Sequence, residues 1–266
     1  MEMSPSRSQD EVAGTLYVVS TGPGDLENLT PLAQRAIRES DVVIGNRMYL
    51  DQMEPLLEGK IVIHSSMGKE VERAREAVRL AKASKVAMVS GGDAGVYGMA
   101  SIVLELVQHE APSLDVKVIP GVTAATAAAS ILGSPLSSDF LVISLSDLLT
   151  PWEVIEKRLD LGFQMGIPMA VYNPRSHTRP GNLKKALEIG LRHAKPNTPV
   201  GIVRNAYRGE GESFLVTDLG TLFADDNVVD MHSMVIIGGE STQLFKEGEN
   251  VRGIITPRGY HRKYVY

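Results

Sequence analysis

Short apolar runs alternate with helical patterns along most of this chain, and this alternation is the feature that most constrains its fold. In the first half, the apolar runs fall at 15–20, 41–45, 61–64, 85–90 and 116–119. Helical spacing lies between them, most clearly at 70–82. Strands joined through helices pair in parallel, because the helical crossover returns the chain to the same end of the sheet. The first half is therefore predicted to be an α/β domain with a mainly parallel sheet.

Glycine-rich turns follow three of these runs, at 21–25, 90–95 and 120–124. Ligands of parallel sheets bind beyond the carboxyl ends of the strands, and glycine lets the backbone approach a ligand closely. The central stretch, 85–100, predicts a strand, a loop and a helix that begins near Tyr97. In that loop, Asp93 is available to a ligand amine or hydroxyl, or to cap the helix. Glu27 stands where a dinucleotide-binding loop needs its third glycine, which argues against a nicotinamide cofactor.

The second half predicts a mixed sheet. Its apolar runs fall at 140–145, 168–172, 200–205, 213–217 and 234–237, with helical patterns at 124–132, 152–161, 182–193 and 218–223. Thr150 is the expected cap of the second of these helices, with Pro151 at its first position. The turn at 209–211 predicts an antiparallel hairpin. The predicted organisation is a disordered leader at 1–13, an N-terminal α/β domain at 14–135, a C-terminal α/β domain at 136–242 and a tail at 243–266.

Composition excludes several classes of protein. The formal net charge of −5 argues against a nucleic-acid partner, which needs a basic surface. No apolar stretch is long enough to span a membrane, and the first residues lack the apolar core of a signal peptide, so we expect a cytoplasmic protein. The chain has no cysteine and no zinc-binding histidine motif, so no metal site is expected.

Six motifs occur in the order typical of one enzyme family. They are Gly22–Asp25, Ser90–Gly95, Pro120–Ala124, Tyr172–Pro174, Pro199–Ala206 and Met234–Gly238. With them, the chain resembles the tetrapyrrole methylases, which transfer a methyl group from S-adenosylmethionine. Leu145–Trp152, Tyr172–Ser176 and Val96–Met99 resemble the branch of cobalamin biosynthesis that methylates carbon 17 of precorrin-3B, or of its cobalt analogue, with contraction of the macrocycle. The resemblance implies two α/β domains, a cofactor in the cleft between them and a homodimer.

The resemblance also implies the residues that bind S-adenosylmethionine. Gly91, Gly92 and Asp93 would contact its amino-acid part, with Pro23 at the cleft mouth. The other cofactor residues implied are Val96, Thr123, Ala124, Asn173 and Ala206. The chain departs from the family pattern at Ala94, usually proline, and at Asn46, often tyrosine. Alanine in place of proline loosens the loop by about 0.4–1 kcal/mol of unfolded-state entropy.

Ring contraction requires proton movement, and therefore an acid or base near the macrocycle. Asp25, Asp147 and His177 are candidates because they lie in loops. Each has a simpler interpretation. Asp25 would only cap the turn before the first helix, Asp147 would only hold the link before Trp152, and His177 would be an exposed loop residue.

The tetrapyrrole substrate that the resemblance implies carries several carboxylates, and arginine matches carboxylate geometry. Arg175, Arg179, Arg204 and Arg208 lie in the loop-rich C-terminal half and are the predicted substrate contacts. The simpler alternative for each is an ordinary surface ion pair.

Three other functions stay open at this point. A methylase of the same fold could act at another corrinoid position or on a protein side chain, as in diphthamide synthesis. A non-catalytic module could bind S-adenosylmethionine or a tetrapyrrole without turnover. A nicotinamide-dependent dehydrogenase is weakened by Glu27.

Overall fold

The computed structural model describes residues 14–176 and 178–265. Their contacts divide the chain into two compact units, with the division after Val122. Each unit contains a five-stranded sheet flanked by helices, which confirms the predicted α/β class with a parallel first sheet and a mixed second sheet. The predicted leader at 1–13 and the catalytic candidate His177 lie outside the described residues.

The sheet of the first unit is parallel throughout, in the order β3-β2-β4-β1-β5. Its strands are β1 (Thr15–Ser20), β2 (Val42–Asn46), β3 (Ile61–Ser65), β4 (Lys85–Ser90) and β5 (Asp115–Ile119). Its helices are α1 (Pro31–Glu39), α2 (Arg47–Asp51), α3 (Glu70–Leu80) and α4 (Ala100–Glu110).

Helices cover both faces of this sheet, because successive side chains of each strand point to opposite faces. In β1, Leu16 and Val18 belong to a buried cluster with residues of α3 and α4. Tyr17 and Val19 belong to a second cluster with residues of α1. A sheet buried on both faces explains why the strands are continuous apolar runs.

Helix α4 begins at Ala100, three residues later than predicted. Tyr97 has a φ of +51°, a left-handed conformation that cannot be part of an α-helix. The apolar spacing that predicted an earlier start therefore includes a loop residue.

The second unit has a mixed sheet in the order β10-β9-β11-β8-β7, in which β7 and β8 are parallel and the other pairs antiparallel. Its strands are β6 (Gly133–Ser134), β7 (Leu141–Ser144), β8 (Met169–Tyr172), β9 (Pro199–Arg204), β10 (Ser213–Asp218) and β11 (Ser233–Ile237). Its helices are α5 (Ala124–Leu132), α6 (Trp152–Gln164), α7 (Asn182–His193) and α8 (Leu219–Ala224). Helix α5 packs on one face, and α6, α7 and α8 pack on the other.

The predicted cap of α6 is wrong by one residue. Pro151 is the cap, with φ −55° and ψ 144°, and no side chain bonds to the first turn. Proline in this extended conformation holds the chain outside the helix, so Trp152 becomes the first helical residue.

The C-terminal segment differs from the predicted tail. Strands β12 (Gln243–Glu247) and β13 (Asn250–Ile255) form an antiparallel hairpin, and β13 pairs with β6. Ile254 is fully buried against α5. A Cβ on Gly253 would lie 2.0 Å from the carbonyl oxygen of Leu132, so the close approach requires glycine. Because α5 and β6 pack within the second unit, the division falls after Val122 and not after the predicted residue 135.

Candidate functional site

The sheet order of the first unit brings the three predicted glycine-rich loops together. Strand β1 lies between β4 and β5, and all three run in the same direction. The loops at 21–25, 90–95 and 120–122 therefore leave the sheet side by side. We call these three loops the glycine edge.

Backbone hydrogen bonds join the β1 and β4 loops. Gly22 and Gly92 exchange two bonds, with N–O distances of 3.0 and 2.8 Å. The Ser20 hydroxyl accepts a bond of 2.8 Å from the Ala94 N–H. Gly92 has a φ of +67°, which glycine adopts without strain. The loop conformation is therefore set within the unit itself.

The Asp93 carboxylate joins the β4 and β5 loops. Its Oδ1 accepts a hydrogen bond of 2.8 Å from the Gly95 N–H, and its Oδ2 accepts one of 2.9 Å from the Gly121 N–H. Met99 is the cap residue of α4 and makes no side-chain cap bond, so the helix-cap interpretation of Asp93 is wrong. Each carboxylate oxygen retains a further acceptor position, so contact with a ligand amine stays a prediction.

Two glycines at this edge have no room for a side chain. A Cβ on Gly91 would lie 2.4 Å from the ring of Tyr49. A Cβ on Gly121 would lie 2.5 Å from the Cβ of Ser20 and 3.0 Å from the carbonyl oxygen of Gly92. Nearby, the buried Thr21 hydroxyl makes no hydrogen bond within the described residues. At these two glycines the edge therefore consists of backbone packed too closely for side chains.

The other candidates of the first unit lie on the same loops. Pro23 is buried, and the half-buried Val96 donates its N–H to the Asp93 carbonyl. Asp25 Oδ1 accepts bonds of 2.9 and 2.6 Å from the backbone and side chain of Asn28. This contact agrees with the turn-capping interpretation of Asp25, while its acid–base role stays a prediction.

A buried arginine that the sequence interpretation missed supports the end of the β4 loop. The Arg73 guanidinium donates to Ser65 Oγ at 3.0 Å and to Met99 Sδ at 3.4 Å. Burial lowers the pKa of Arg73 below its ordinary value, and Nε makes no hydrogen bond within the described residues. Arginines at helical surface spacing are usually solvated, so no sequence pattern marked this one as buried.

In the second unit, the Tyr172 hydroxyl connects the end of β8 to the start of α5. It accepts a hydrogen bond of 3.0 Å from the Ala125 N–H and shares a short one with the Thr123 hydroxyl. The cofactor candidates Thr123 and Ala124 are the cap and first residue of α5. The Tyr172–Pro174 motif predicts a site here, but no sequence pattern indicates the role of the tyrosine hydroxyl.

Asn173 and Ala206 lie in the loops that follow β8 and β9. Asn173 adopts a φ of +50° and donates a bond of 2.9 Å to Ser144 Oγ. Ala206 packs against the apolar cluster that contains the buried face of α5. Asparagine tolerates the left-handed conformation better than most residues, which suits its place after a strand.

The ends of β7, β8 and β9 meet at one edge of the second sheet, which we call the arginine edge. It consists of the last residues of these strands and the loops at 145–151, 173–176, 178–181, 205–212 and 225–232. Arg175 Nη1 donates to the carbonyl oxygen of Asp226 at 3.0 Å, and its Nη2 donates to Asn227 Oδ1 at 3.5 Å. Arg175 therefore already serves to hold the loop before β11.

Two other arginines of this edge form ion pairs. Arg179 Nε lies 3.6 Å from Asp147 Oδ1, and Arg204 Nε lies 2.8 Å from Asp230 Oδ2. Arg208 lies in the β9–β10 loop and has contacts of its own. Sequence reasoning missed the acidic partners Asp226 and Asp230, although the loop before β11 is rich in aspartate.

A cavity of about 510 Å³ opens at the arginine edge. Arg175, Asn227, Asp230, Met231 and His232 are among its lining residues. Its wall combines cationic, anionic and apolar groups, so it suits an amphipathic ligand with peripheral charges. The structure thus brings Asp147, Arg175, Arg179 and Arg204 to one edge of this unit.

Two other kinds of feature are absent from the described residues. In residues 14–176 and 178–265, no group of three or more His, Cys, Asp or Glu side chains could hold a metal ion. No helix in those ranges is long and apolar enough to cross a membrane.

Comparison with known proteins agrees with these features. Residues 15–222 match the family profile of the Tetrapyrrole (Corrin/Porphyrin) Methylases. The chain is 43% identical to the probable cobalt-factor III C(17)-methyltransferase of Salmonella typhimurium, over 92% of this chain and 99% of that protein. It is 41% identical to the precorrin-3B C(17)-methyltransferase of a Sinorhizobium species, over 94% of this chain and 98% of that protein. Two other relatives are longer, and the chain spans about half of their lengths, 55% and 46%.

Solved structures give the same result. The methyltransferase CobJ matches with a TM-score of 0.85 and 31% identity, over 92% of this chain and all of that one. A second match is uroporphyrin-III C-methyltransferase of Thermus thermophilus, complexed with S-adenosyl homocysteine. Its TM-score is 0.68 and its identity 26%, over 85% of this chain and 97% of that one. From the profile match over most of its length and its full-length relatives, the chain belongs to the family of tetrapyrrole (corrin/porphyrin) methylases.

Proposed function

We propose that this protein is an S-adenosylmethionine-dependent methyltransferase of cobalamin biosynthesis that methylates carbon 17 of the macrocycle during ring contraction. The observation that carries the proposal is the 43% identity to the Salmonella relative, over almost the whole of that protein. The names of the relatives include both the cobalt-containing and the metal-free substrate, so the proposal covers cobalt-factor III and precorrin-3B.

The glycine edge fits the amino-acid part of S-adenosylmethionine. Gly91 and Gly121 have no room for a side chain, so backbone is all that they can offer a ligand. Asp93 offers a carboxylate to an amino group. The related Thermus enzyme in complex with S-adenosyl homocysteine supports this cofactor. The cofactor, when bound, supplies an electrophilic methyl group. The residues proposed to hold it are Pro23, Gly91, Gly92, Asp93, Val96, Thr123, Ala124, Asn173 and Ala206.

The protein's main contribution to methyl transfer is positioning, because the acceptor carbon must lie in line with the methyl group. The hydrogen bonds of Asp93 and of the Gly22–Gly92 pair preorganise the cofactor loops before any ligand binds. Ring contraction also needs a proton donor or acceptor. Asp25 and Asp147 both have other partners, Asn28 and Arg179, so either would exchange a contact to take this role. His177 stays the third candidate.

The arginine edge would hold the substrate carboxylates. Arg179 and Arg204 direct Nε toward an aspartate, and their terminal Nη atoms make no hydrogen bond within the described residues. Those atoms can bind a carboxylate in the two-point geometry that arginine favours. Arg175 and Arg208 stay proposed contacts. Arg175 already makes hydrogen bonds through both of its Nη atoms, and Arg208 has contacts of its own.

Mass spectrometry tests the proposal directly. The purified chain would be incubated with S-adenosylmethionine and either cobalt-factor III or precorrin-3B, with and without oxygen. We expect a mass gain of one methyl group, located at carbon 17. Binding without turnover would instead indicate a non-catalytic module. Transfer only to another corrinoid position, or to the protein substrate of diphthamide synthesis, would also overturn the proposal. The homodimer and the cytoplasmic location stay predictions.

A further inference from the structure

Two leucines at the arginine edge are exposed to an unusual degree. Leu148 is 74% exposed and Leu149 is 93% exposed, the highest fractions among the leucines of the described residues. They follow β7 in the loop at 145–151. Scattered single apolar residues are normal on protein surfaces, but two adjacent large ones at a candidate site call for an explanation.

The loop that carries these leucines is weakly attached. Its start is held by the bonds from the Asn182 side chain to the Leu145 carbonyl and from the Ser146 N–H to Ser144 Oγ. At its end, the Pro151 carbonyl accepts hydrogen bonds from the Val154 and Ile155 N–H groups. Between them, the backbone of residues 147–150 makes no hydrogen bond within the described part of the chain. The Asp147–Arg179 ion pair is its side-chain attachment. Because Asp147 directly precedes Leu148, this ion pair places Arg179 at the base of the segment that carries the leucines.

Charge at the same edge indicates what would cover them. Arg175, Arg179 and Arg204 line this edge, beside the cavity that Met231 helps to form. A tetrapyrrole has a broad apolar ring face and carboxylates at its periphery. Exposed leucines on the same edge as these arginines match both parts of that molecule.

We infer that Leu148 and Leu149 bind the apolar face of the substrate macrocycle and, together with Arg179, determine its affinity. This inference rests on the proposed function, because it takes its substrate class from there. A protein partner or a second copy of this chain would also cover exposed leucines, but neither accounts for the arginine that pairs with the residue directly before them. The test therefore also distinguishes the macrocycle from those two occupants.

The test compares the double variant Leu148→Gln/Leu149→Gln with the parent and with Leu161→Gln. Leu161 lies on α6 and is 52% exposed, so it is a matched control for removing an exposed leucine from the same unit. Spectroscopic titration measures the Kd of cobalt-factor III in the presence of S-adenosyl homocysteine, which has no methyl group to transfer. Calorimetry measures the Kd of S-adenosylmethionine. Thermal unfolding and analytical ultracentrifugation report folding and assembly.

We expect the double variant to bind cobalt-factor III at least tenfold more weakly, with the same cofactor Kd, Tm and assembly state as the parent. The control should bind as the parent does. Added salt should weaken binding equally in parent and double variant, because the arginine contacts are retained.

An unchanged Kd for the macrocycle would overturn the inference. A change in assembly state with unaltered macrocycle binding would assign the leucines to a subunit interface and would also overturn it. If the parent methylates no tetrapyrrole, the proposed function itself is wrong. If the parent is active and the double variant binds the macrocycle with the same Kd, only the inference about the leucines is wrong.

Discussion

Replacing Asp93 tests whether one carboxylate holds the cofactor loops in place. In the parent, each of its oxygens accepts a hydrogen bond from a backbone N–H, of Gly95 or of Gly121. Asp93→Asn keeps one acceptor oxygen and presents an NH2 group, which cannot accept, to the other N–H. The variant therefore loses one charge-assisted bond and brings two donors together.

The expected magnitude follows from these contacts. A hydrogen bond to a charged group contributes about 1.5–3 kcal/mol, so Asp93→Asn should lower the free energy of unfolding by about 2 kcal/mol. Asp93→Ala loses both bonds. Water can reach the exposed Gly95 N–H, so we expect a loss of roughly 3 kcal/mol, which is less than twice the first value. Cofactor affinity should fall as well, because the β4 and β5 loops lose their connection.

Urea unfolding followed by circular dichroism measures the stability change, and calorimetry measures the Kd of S-adenosylmethionine. Asp51→Asn is a suitable control, since Asp51 forms an exposed ion pair with Arg47 and should change stability by less than about 1 kcal/mol. Unfolding of Asp93→Asn at the parent's urea midpoint would refute the reasoning. A loss of stability with unchanged cofactor affinity would leave Asp93 a purely structural role.

Two further substitutions test other parts of the structure. Gly253→Ala would place its Cβ 2.0 Å from the Leu132 carbonyl oxygen and should cost about 3 kcal/mol in urea unfolding; parental stability would show that β13 does not pack as described. Asp160 accepts a hydrogen bond from His193 that lowers the Asp160 pKa, so this pair stabilises the protein above pH ~4 and is lost as pH falls through the lowered pKa. Asp160→Asn should therefore show a smaller decrease in Tm between pH 4 and pH 2, whereas parallel curves for variant and parent would contradict this.

Local pattern predicted most regular elements. Strands β1 and β4 and helices α5 and α7 match their predicted bounds, because their apolar spacing and flanking residues agree with one another. The predictions failed where the backbone does something that spacing does not encode. Examples are the left-handed Tyr97 before α4 and the proline cap of α6.

The candidate site was predictable in part. The glycine-rich loops were found from composition, since glycine after a buried strand has few other uses. The partners of the charged groups were not found, because Asp226 and Asp230 lie 51 and 26 residues from the arginines that they contact. The same reason hid the role of the Tyr172 hydroxyl, which bonds to a helix 47 residues earlier in the chain.

The sequence by itself therefore determined the α/β class, most of the strands and helices, and the loops that carry the family motifs, all of which depend on residues close together in the chain. The tertiary structure alone decided that β1 lies between β4 and β5, so that Asp93 can bond to Gly121. It also decided that the apparent tail contributes β12 and β13 and that the arginines are paired with aspartates. These features depend on strand order and side-chain contacts over long sequence separations, which local spacing does not specify.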